Sequence, residues 1–447
     1  MHQFPAQVLG ALSHALDVNE GEPRGHSERT AALARRLATR LGLAPDEVEQ
    51  VGLAALMKDA GCSSNAADIT ALYGNDDAAI KRDRKLIDHR RTLVSLGHLL
   101  RLTAPGGTPA AKLRRLRALV EHGSEGATAL IARRCDRGAK AAETVGLGPA
   151  VQQAIRELDE HYNGAGQPLG LQGDAISLFG RILCLASTLE VFWASEGALA
   201  AIAVAEERSG RWFDPELVAH VRAAGPALFD RLGDAETITG VATGPSPMVD
   251  ADTLDAVAVA FGTIIDAKSP YTAAHSSGVA EIAVGLGSAL GLDGERLRQL
   301  HRAGLLHDIG KLAVSNLILD KPGRLDADEW AVMRRHPEIG QSILGRVDAL
   351  TDAAWMAAVH HERLDGSGYF VGLDASRLST AARIIAVADV AEALTADRPY
   401  RAGLGLDEVD AILRREAGAR LDGDVVEAVG GVLRARQRPV VSLLRAA

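Results

Sequence analysis

Seven His and Asp side chains in the second half of this chain are of the types that bind metal ions. His307 and Asp308 are adjacent in the run LLHDIGK. The other five are His275, His336, His360, His361 and Asp389. Neutral imidazoles and ionised carboxylates are natural ligands of first-row divalent metals, and seven are too many for one tetrahedral ion. Two ions that share a carboxylate would use them all, and such a pair suits the hydrolysis of phosphate esters.

Cations lie close to these ligands in the sequence. Lys311 follows His307 by one helical turn, and Arg398 and Arg401 enclose the run RPYR. Guanidinium and ammonium groups hold phosphate well, the former in a bidentate geometry. These three residues are therefore candidates for contacts with a phosphorylated substrate.

A glycine-rich turn, DGSGY, follows the histidine pair directly. Its candidate substrate-binding residues are Asp365, Gly366, Gly368 and Tyr369. By composition alone such a segment is a connecting turn. Because glycines let a backbone approach a ligand closely, its position also predicts one wall of a binding pocket.

Each of these residues has a simpler structural reading. A single buried histidine is more often a hydrogen-bonded core residue than a ligand, and His301 fits no site. Likewise, RPYR alone is typical of a solvated helix start. The joint pattern favours the metal hypothesis, since a structural account needs a separate explanation for each residue.

Length and composition predict two helical domains. At 447 residues the chain exceeds one typical domain, and only 4% of its residues are aromatic, while Ala, Leu, Val and Arg are frequent. We expect an all-α fold of two tandem helical bundles joined by a linker that contains Gly and Pro. The net charge of -9 does not favour a polymeric nucleic acid as partner.

Cysteine usage and hydropathy predict a cytoplasmic protein. Cys62, Cys135 and Cys184 are odd in number and widely spaced, which does not indicate a disulfide framework. The N-terminal segment lacks the basic flank and apolar stretch of a signal peptide. The most apolar run, LFGRILCLASTLEVFW, contains Arg181 and Glu190, and we expect it to be too short to span a bilayer.

The two halves of the chain resemble each other in order. LAALMKDAG matches RAGLLHDIG at an offset of 249 residues, and YNGAGQPLGL matches LDGSGYFVGL at an offset of 202. The difference predicts an insertion of about 47 residues in the first half, between positions 61 and 135. We predict domains at 1–232 and 251–438, with a linker at 233–250 that is rich in Gly, Thr, Pro and Ser.

Residues from about 255 to 432 resemble an HD-GYP domain, the HD-superfamily branch of bacterial cyclic di-GMP phosphodiesterases. The motifs SPYTAAHSSGV, LLHDIGK, RRHPEIG, HHERLDGSGY, ARIIAVADV and ALTADRPYR occur in the family's order. The resemblance implies an HD-type bundle of the kind already expected. It also implies that this second half carries the activity.

The same resemblance implies roles for the residues. One metal is held by His275, His307, Asp308 and Asp389. Asp308 bridges to a second metal, which is held by His336, His360 and His361. Lys311 assists the leaving oxygen, while Arg398, Arg401 and the Gly-Tyr turn contact the dinucleotide. Iron or manganese is the usual metal of such sites.

The function implied is hydrolysis of cyclic di-GMP to pGpG or GMP by a hydroxide that the two metals activate, with Asp308 and Lys311 as the catalytic residues. A phosphohydrolase of another nucleotide is one alternative. A non-catalytic module that senses a cyclic dinucleotide and passes the signal to a partner is another. Helical domains of this kind often pair, so a homodimer or a signalling partner is also open.

Two positions depart from the family pattern. Phe370 stands where the Gly-Tyr-Pro signature has its proline, so the shape of the pocket is expected to differ. Tyr271 replaces the acidic residue that some members use for a third metal. Two metals are therefore expected.

Comparison with the second half indicates that the first half has lost most of the ligands. His26 and Asp59 stand where His275 and Asp308 do. The predicted replacements are Lys58 for His307, Cys135 for His336, Leu158 and Asp159 for the histidine pair, and Ser187 for Asp389. A degenerate domain that is inert, or that binds a dinucleotide without cleaving it, is expected. A single zinc ion on His26, Asp59 and Cys135 is the alternative.

Overall fold

The computed structural model describes residues 6–85, 92–234, 250–396 and 402–437, and these residues form helices joined by turns. The first half contains α1 (Ala6–Glu20), α2 (His26–Arg40), α3 (Pro45–Met57), α4 (Ala66–Tyr73), α5 (Asp77–Lys85), α6 (Thr92–Leu102), α7 (Pro109–Thr144), α8 (Pro149–Arg156), α9 (Leu178–Glu196), α10 (Ala198–Glu207) and α11 (Pro215–Ala224). In those ranges the β pairing is limited to isolated bridges. The predicted all-α fold is confirmed.

The second half repeats this order of helices. It contains α12 (Ala251–Asp266), α13 (His275–Ala289), α14 (Gly294–Leu306), α15 (Asn316–Leu319), α16 (Ala327–Met333), α17 (His336–Leu344), α18 (Thr351–Ala358), α19 (Thr380–Thr395), α20 (Leu406–Glu416) and α21 (Gly423–Gln437). Local signals set several of the helix starts. For example, the Asp293 side chain caps α14 by accepting from Arg296 N at 2.9 Å.

The helical contacts divide the chain into two compact units. The first unit comprises residues 1–260, 267–270 and 312–326, and the second comprises 261–266, 271–311 and 327–447. The domain limits inferred from the sequence remain a prediction. Residues 235–249 of the predicted linker lie outside the described part of the chain. Helices α4 to α6 and the start of α7 occupy the stretch where an insertion was predicted.

The second unit is built around α13, which packs against α14 and α19. Its core consists of aliphatic side chains such as Val279, Ile282, Leu286, Ile384 and Val387, all of which are fully buried. Full burial of an aliphatic side chain of this size contributes about 1.5–3 kcal/mol. Helices α13, α14 and α19 are thereby fixed in place, and they position four of the candidate ligands.

Helix α9 is the described helix that is long and apolar enough to cross a membrane. It has 19 residues, so the expectation that this segment is too short was wrong. However, 61% of its apolar window is buried inside the protein. We therefore assign α9 to the core of the first unit.

Identical buried contacts confirm the internal repeat. In the first half the carboxylate of Asp17 accepts from the Ser27 backbone N–H at 2.9 Å. In the second half Asp266 accepts from Ser276 N in the same way at 3.0 Å. Each bond satisfies one of the free N–H groups at the start of a helix. That helix begins with a histidine in both halves.

A second pair of carboxylates holds the loop after the histidine pair. Glu362 accepts from the backbone N–H groups of residues 371, 372 and 373 at 2.8–3.0 Å. Glu160 accepts from residues 169, 170 and 171 at 2.6–3.3 Å. Both glutamates are 1% exposed. The same carboxylate therefore anchors the loop in both halves, although its functional side chains differ.

The turn after Asp308 packs against the start of α17 without space for a side chain. A Cβ on Gly310 would overlap the backbone O of His336 and would lie 2.8 Å from Gly340 N. Backbone atoms cannot move aside as the end of a flexible side chain can. Glycine at this position therefore allows two ligand-bearing segments to meet.

The first half makes the equivalent contact, which corrects one assignment made from the sequence. A Cβ on Gly61, the counterpart of Gly310, would overlap the backbone O of Arg134. The counterpart of His336 is therefore Arg134, and the prediction of Cys135 was wrong by one residue. The offset of 202 residues that relates the later motifs gives the same counterpart, Arg134.

We predict that Gly310→Ala destabilises the protein, because a methyl group forced against backbone lowers the free energy of unfolding by about 1–3 kcal/mol. Urea unfolding followed by circular dichroism measures the change. Gly323→Ala is the matched control, since a Cβ there would meet nothing within 4 Å. Equal stability of the two variants would contradict the close approach described above.

Candidate metal centre

All seven candidate ligands are brought to one place in the second unit. His275 is the first residue of α13, His336 is the first residue of α17, and Asp389 lies within α19. His307 and Asp308 follow the last residue of α14, and His360 and His361 follow α18. Helix ends supply most of the set, because a side chain there can point along the helix into the space between elements. Five of the seven ligands are at most 4% exposed: His275, His307, Asp308, His336 and His360.

The carboxylate of Asp308 lies between two pairs of imidazoles. Its Oδ2 is 3.6 Å from His275 Nε2 and 3.3 Å from His307 Nε2. Its Oδ1 is 3.5 Å from His336 Nε2 and 3.8 Å from His360 Nε2. Each oxygen therefore faces its own histidine pair. This is the arrangement expected of a carboxylate that bridges two cations.

The outer nitrogens of these imidazoles are held by the protein. Nδ1 of His307, His336 and His360 each lies 2.5–2.8 Å from the backbone carbonyl three residues earlier. His275 Nδ1 bonds to the carboxylate of Glu392. An imidazole that donates through Nδ1 presents the lone pair of Nε2, and such partners orient metal-binding histidines.

Two atoms that face the centre of the cluster lack a protein partner, and a bound metal cation would take that place. Within the described residues, His307 Nε2 and Asp308 Oδ1 are buried and have no hydrogen-bond partner. His336 Nε2 and His360 Nε2 face each other at 3.3 Å although both Nδ1 atoms already have acceptors. Buried polar atoms without partners are costly. The chemistry of this donor set therefore fits divalent metal ions.

Among the described residues of the second unit, three groups of side chains have ligand atoms close enough together to hold an ion. They are His275 with His307 and Asp308, His336 with His360 and His361, and His307 with His360 and Asp389. The first two groups correspond to the two halves of the predicted ligand set. The ligand assignment itself remains a prediction.

Electrostatics separate the histidines into two classes. Burial lowers the pKa of His336 to about 4 and that of His360 to about 3, so both are neutral and ready to coordinate. Burial also disfavours the charged form of His275, but the carboxylates of Asp389 and Glu392 outweigh it and raise the pKa of His275 to about 10. Without a metal, a proton on His275 neutralises part of the negative charge.

Lys311 and Tyr369 lie at the edge of the cluster. Lys311 Nζ is 2.6 Å from Asp308 Oδ2, and its side chain is 23% exposed, so it is open to a substrate. The Tyr369 ring stacks on His361, with the ring centroids 4.5 Å apart. Arg334 lies over the same Tyr369 ring at 5.1 Å.

The other residues of the turn contact the protein itself. The Asp365 carboxylate accepts from Ser367 N at 2.9 Å and lies 3.5 Å from Arg420 Nε. Gly366 has a φ of 73°, which suits glycine. A Cβ on Gly368 would overlap the backbone that carries His361. The glycines therefore serve the path of the turn, while the role of Asp365, Gly366 and Gly368 in substrate binding remains a prediction.

Phe370 follows this turn with a φ of 113°. Proline fixes φ near −65° and could not adopt this backbone. The side chain packs against a small apolar cluster that includes Leu373 and Leu378. The backbone at this position therefore excludes a proline, whereas the first half has Pro168 at the corresponding position. The predicted contacts of Arg398 and Arg401 lie outside the described residues.

Sequence reasoning missed the carboxylates that support the site. Glu392 orients His275, and Glu362 orders the loop after the histidine pair. The internal repeat offered the signal, because Glu190 and Glu160 stand at the corresponding positions of the first half. Residues kept in a half that has lost its ligands are candidates for a structural role.

The first half replaces the metal position with its own cation. Lys58 Nζ lies 2.9 Å from His26 Nε2 and forms an ion pair with Asp59. His26 Nδ1 bonds to Glu190, as His275 does to Glu392. Both nitrogens of His26 are thus occupied. The alternative zinc site on His26, Asp59 and Cys135 is therefore not supported.

Comparisons with known proteins agree with this geometry. A model of the HD domain family matches residues 124–217 and 260–425. The chain is also 38% identical over 435 residues to the 3'3'-cGAMP-specific phosphodiesterase 3 of Vibrio cholerae, covering 95% of this chain and 94% of that protein. The chain belongs to the HD-domain family. Its predicted resemblance to HD-GYP phosphodiesterases is confirmed.

Other matches to this HD-domain protein cover either a part of the chain or nearly all of it. A cyclic di-GMP phosphodiesterase of Pseudomonas aeruginosa is 44% identical over 136 residues, which is 30% of this chain and 32% of that protein. The crystal structure of a cyclic GMP-AMP-specific phosphodiesterase from V. cholerae aligns with a TM-score of 0.63 at 32% identity. That alignment covers 97% of this chain and 98% of the other. The HD-domain fold therefore extends over both halves.

We predict that metal binding releases protons at pH 8, because His275 is protonated below a pKa of about 10 and must be neutral to coordinate. Metal affinity should therefore rise with pH up to that value. Calorimetric titration with Mn²⁺ in two buffers of different ionisation enthalpy counts the protons. Glu392→Gln removes one carboxylate from His275 and should reduce the release, and an unchanged count would refute this account of His275.

Proposed function

We propose that this chain is a metal-dependent phosphodiesterase that hydrolyses a cyclic dinucleotide in its second half. The observation that carries the proposal is the Asp308 carboxylate, each oxygen of which faces a separate pair of imidazoles. Two divalent ions, with iron or manganese the expected choice, would be held by the seven ligands. When bound, they would supply Lewis acidity toward the phosphoryl oxygens and lower the pKa of a water molecule.

The residues of the chain would perform the remaining steps. Water adds across the bond between phosphorus and the 3'-oxygen, so the ring opens to a linear dinucleotide with a 5'-phosphate. Lys311, whose ammonium group borders Asp308, is placed to stabilise charge on the phosphoryl group and to donate a proton to the departing 3'-oxygen. Asp308 keeps its negative charge, since the neighbouring His307 and Lys311 hold its pKa well below the usual range despite burial.

The aromatic side of the site suits a nucleobase. Tyr369 stacks on His361 and is in turn covered by Arg334. Burial raises the pKa of Tyr369, so its phenol stays protonated and can donate a hydrogen bond. Aromatic rings and guanidinium groups of this kind bind nucleobases with little dependence on which base is present. Arg334 therefore joins Tyr369 as a candidate residue for binding the substrate.

The relatives favour 3'3'-cGAMP over cyclic di-GMP as the preferred substrate. The relative that matches along nearly the whole chain is named for 3'3'-cGAMP, whereas the cyclic di-GMP phosphodiesterase of P. aeruginosa matches over about a third. We expect a higher kcat/KM for 3'3'-cGAMP and slower turnover of cyclic di-GMP. Chromatographic separation of the products from each substrate, with Mn²⁺-loaded protein, measures both rates.

We predict that Asp308→Asn abolishes hydrolysis and lowers the bound metal, because an amide cannot bridge two cations as a carboxylate does. Elemental analysis of the purified chain and turnover of both dinucleotides measure the two effects. Asp352→Asn, at an exposed position of α18, is the matched control. A wild-type chain that carries two ions but turns over neither dinucleotide would instead identify a binding module.

We predict that Lys311→Met lowers kcat by roughly 10²–10⁴-fold, the range for loss of a positioned proton donor, and leaves the metal content unchanged. Lys321→Met is the control. Lys321 also pairs with an aspartate, Asp326 at 3.7 Å, but it is not one of the candidate site residues. Pre-steady-state measurement separates chemistry from product release. A loss confined to KM would show that Lys311 binds the substrate and takes no part in proton transfer.

A further inference from the structure

The first unit contains a cavity at the place that corresponds to the candidate metal centre. Its volume is about 630 Å³, which is within the range of small-molecule binding sites. Its lining includes the repeat counterparts of residues in the second-half site, among them Asp59, Arg134, Leu158, Asp159, Gln167 and Ser187. The cavity is therefore a retained site whose chemistry has changed.

In the first unit, cationic side chains lie at the positions that correspond to the two expected metals of the second-half site. Lys58 pairs with Asp59 where His307 and Asp308 would share one ion. Arg134, the counterpart of His336, forms an ion pair with Asp159, which stands where His361 does. The buried Asp59 carboxylate and the partly exposed Asp159 carboxylate are thus neutralised without metal.

Glu20, a further acidic residue that lines the cavity, also has a lysine partner. Glu20, Asp59 and Cys62 have ligand atoms close enough together to hold an ion. However, Lys81 lies 3.3 Å from Glu20, and burial raises the pKa of the Cys62 thiol, so that it stays protonated. A thiol and two lysine-paired carboxylates are poor metal ligands. The cavity suits an organic ligand better than an ion.

Two polar groups in the cavity have hydrogen-bonding capacity to spare. Lys85 Nζ is buried and lies 3.4 Å from Glu20 and 3.1 Å from Glu22, but no acceptor in the described part of the chain meets it in hydrogen-bond geometry. Asn65 is 6% exposed, and its Oδ1 has no donor within the same residues. A complementary ligand must offer an acceptor to Lys85 and a donor to Asn65.

The rest of the wall is apolar and aromatic. Leu72, Leu130 and Val191 line it together with Trp212. The Trp212 ring stacks against His161, with ring centroids 4.1 Å apart. The Arg208 guanidinium also lies 4.2 Å from the Trp212 ring centroid, so the apolar wall as a whole, and not a free face of Trp212, favours a flat heterocyclic ring. A ligand that joins a heterocycle carrying N–H donors to an anionic group with oxygen acceptors is a nucleotide.

We infer that the first-half cavity binds a nucleotide without metal and without hydrolysing it. The phosphate contacts Lys85 and Arg134, and the base lies against the wall formed by Leu130 and Trp212. Hydrolysis does not follow, because Leu158 and Ser187 replace two of the ligands of the second-half site. This binding goes beyond the function proposed above, since it concerns a different site and needs no metal.

The test is equilibrium binding to the full chain in EDTA, with Asp308→Asn present throughout to disable the second-half site. The probes are 3'3'-cGAMP, cyclic di-GMP, GMP, AMP and inorganic phosphate. We expect at least one nucleotide to bind, and Lys85→Gln to weaken it about tenfold or more, as for loss of a hydrogen bond to a charged group. Lys140→Gln, an exposed lysine on α7, is the matched control and should have no effect.

A second variant covers the case in which Lys85→Gln unfolds the domain by breaking its ion pairs. Ala127→Trp places a large side chain into the cavity without changing a charge and should abolish binding, with circular dichroism confirming the fold. The inference is overturned if no nucleotide binds in EDTA, if neither variant weakens binding, or if phosphate alone binds as tightly as the nucleotides. Each outcome is independent of turnover in the second half.

Discussion

Burial of the Asp308 carboxylate is the constraint on which the second-half site depends. A carboxylate removed from water costs several kcal/mol unless a positive charge lies beside it. Asp308 is 1% exposed and Asp389 adds a second negative charge close by. Burial keeps His336 and His360 neutral, so these imidazoles offer lone pairs and no compensating charge. Lys311 and the proton on His275 supply part of the compensating charge, and bound metal ions would add to it while also using the Nε2 lone pairs.

The first half meets the same constraint in a different way. Asp59 is 2% exposed, and the Lys58 ammonium group lies between it and His26. A covalently attached cation needs no free metal and cannot be lost to a chelator. It also offers no open coordination position, so it neutralises the carboxylate without activating water. The two halves thus share a fold and an electrostatic requirement but differ in chemistry.

The features that the sequence predicted best are those encoded by residue type at a fixed spacing. His307 and Asp308, the histidine pair, and the lost ligands of the first half could be located in this way. The offset between the halves was also sufficient to locate Lys58. The offset of 202 that relates the later motifs also places Arg134 opposite His336, although the prediction named Cys135. The contact of Gly61 with the backbone of Arg134 agrees with that offset.

By itself, the sequence determined the helical class, the repeat and which half retains the candidate metal ligands, since these follow from local pattern and from the presence or absence of particular side chains. The tertiary structure decided how these side chains are arranged around one another. It gave each oxygen of Asp308 its own pair of imidazoles and placed Glu392 behind His275. It also left a cavity beside Lys85 and Asn65. These depend on distances between residues far apart in the chain, and such distances are fixed only when the helices pack.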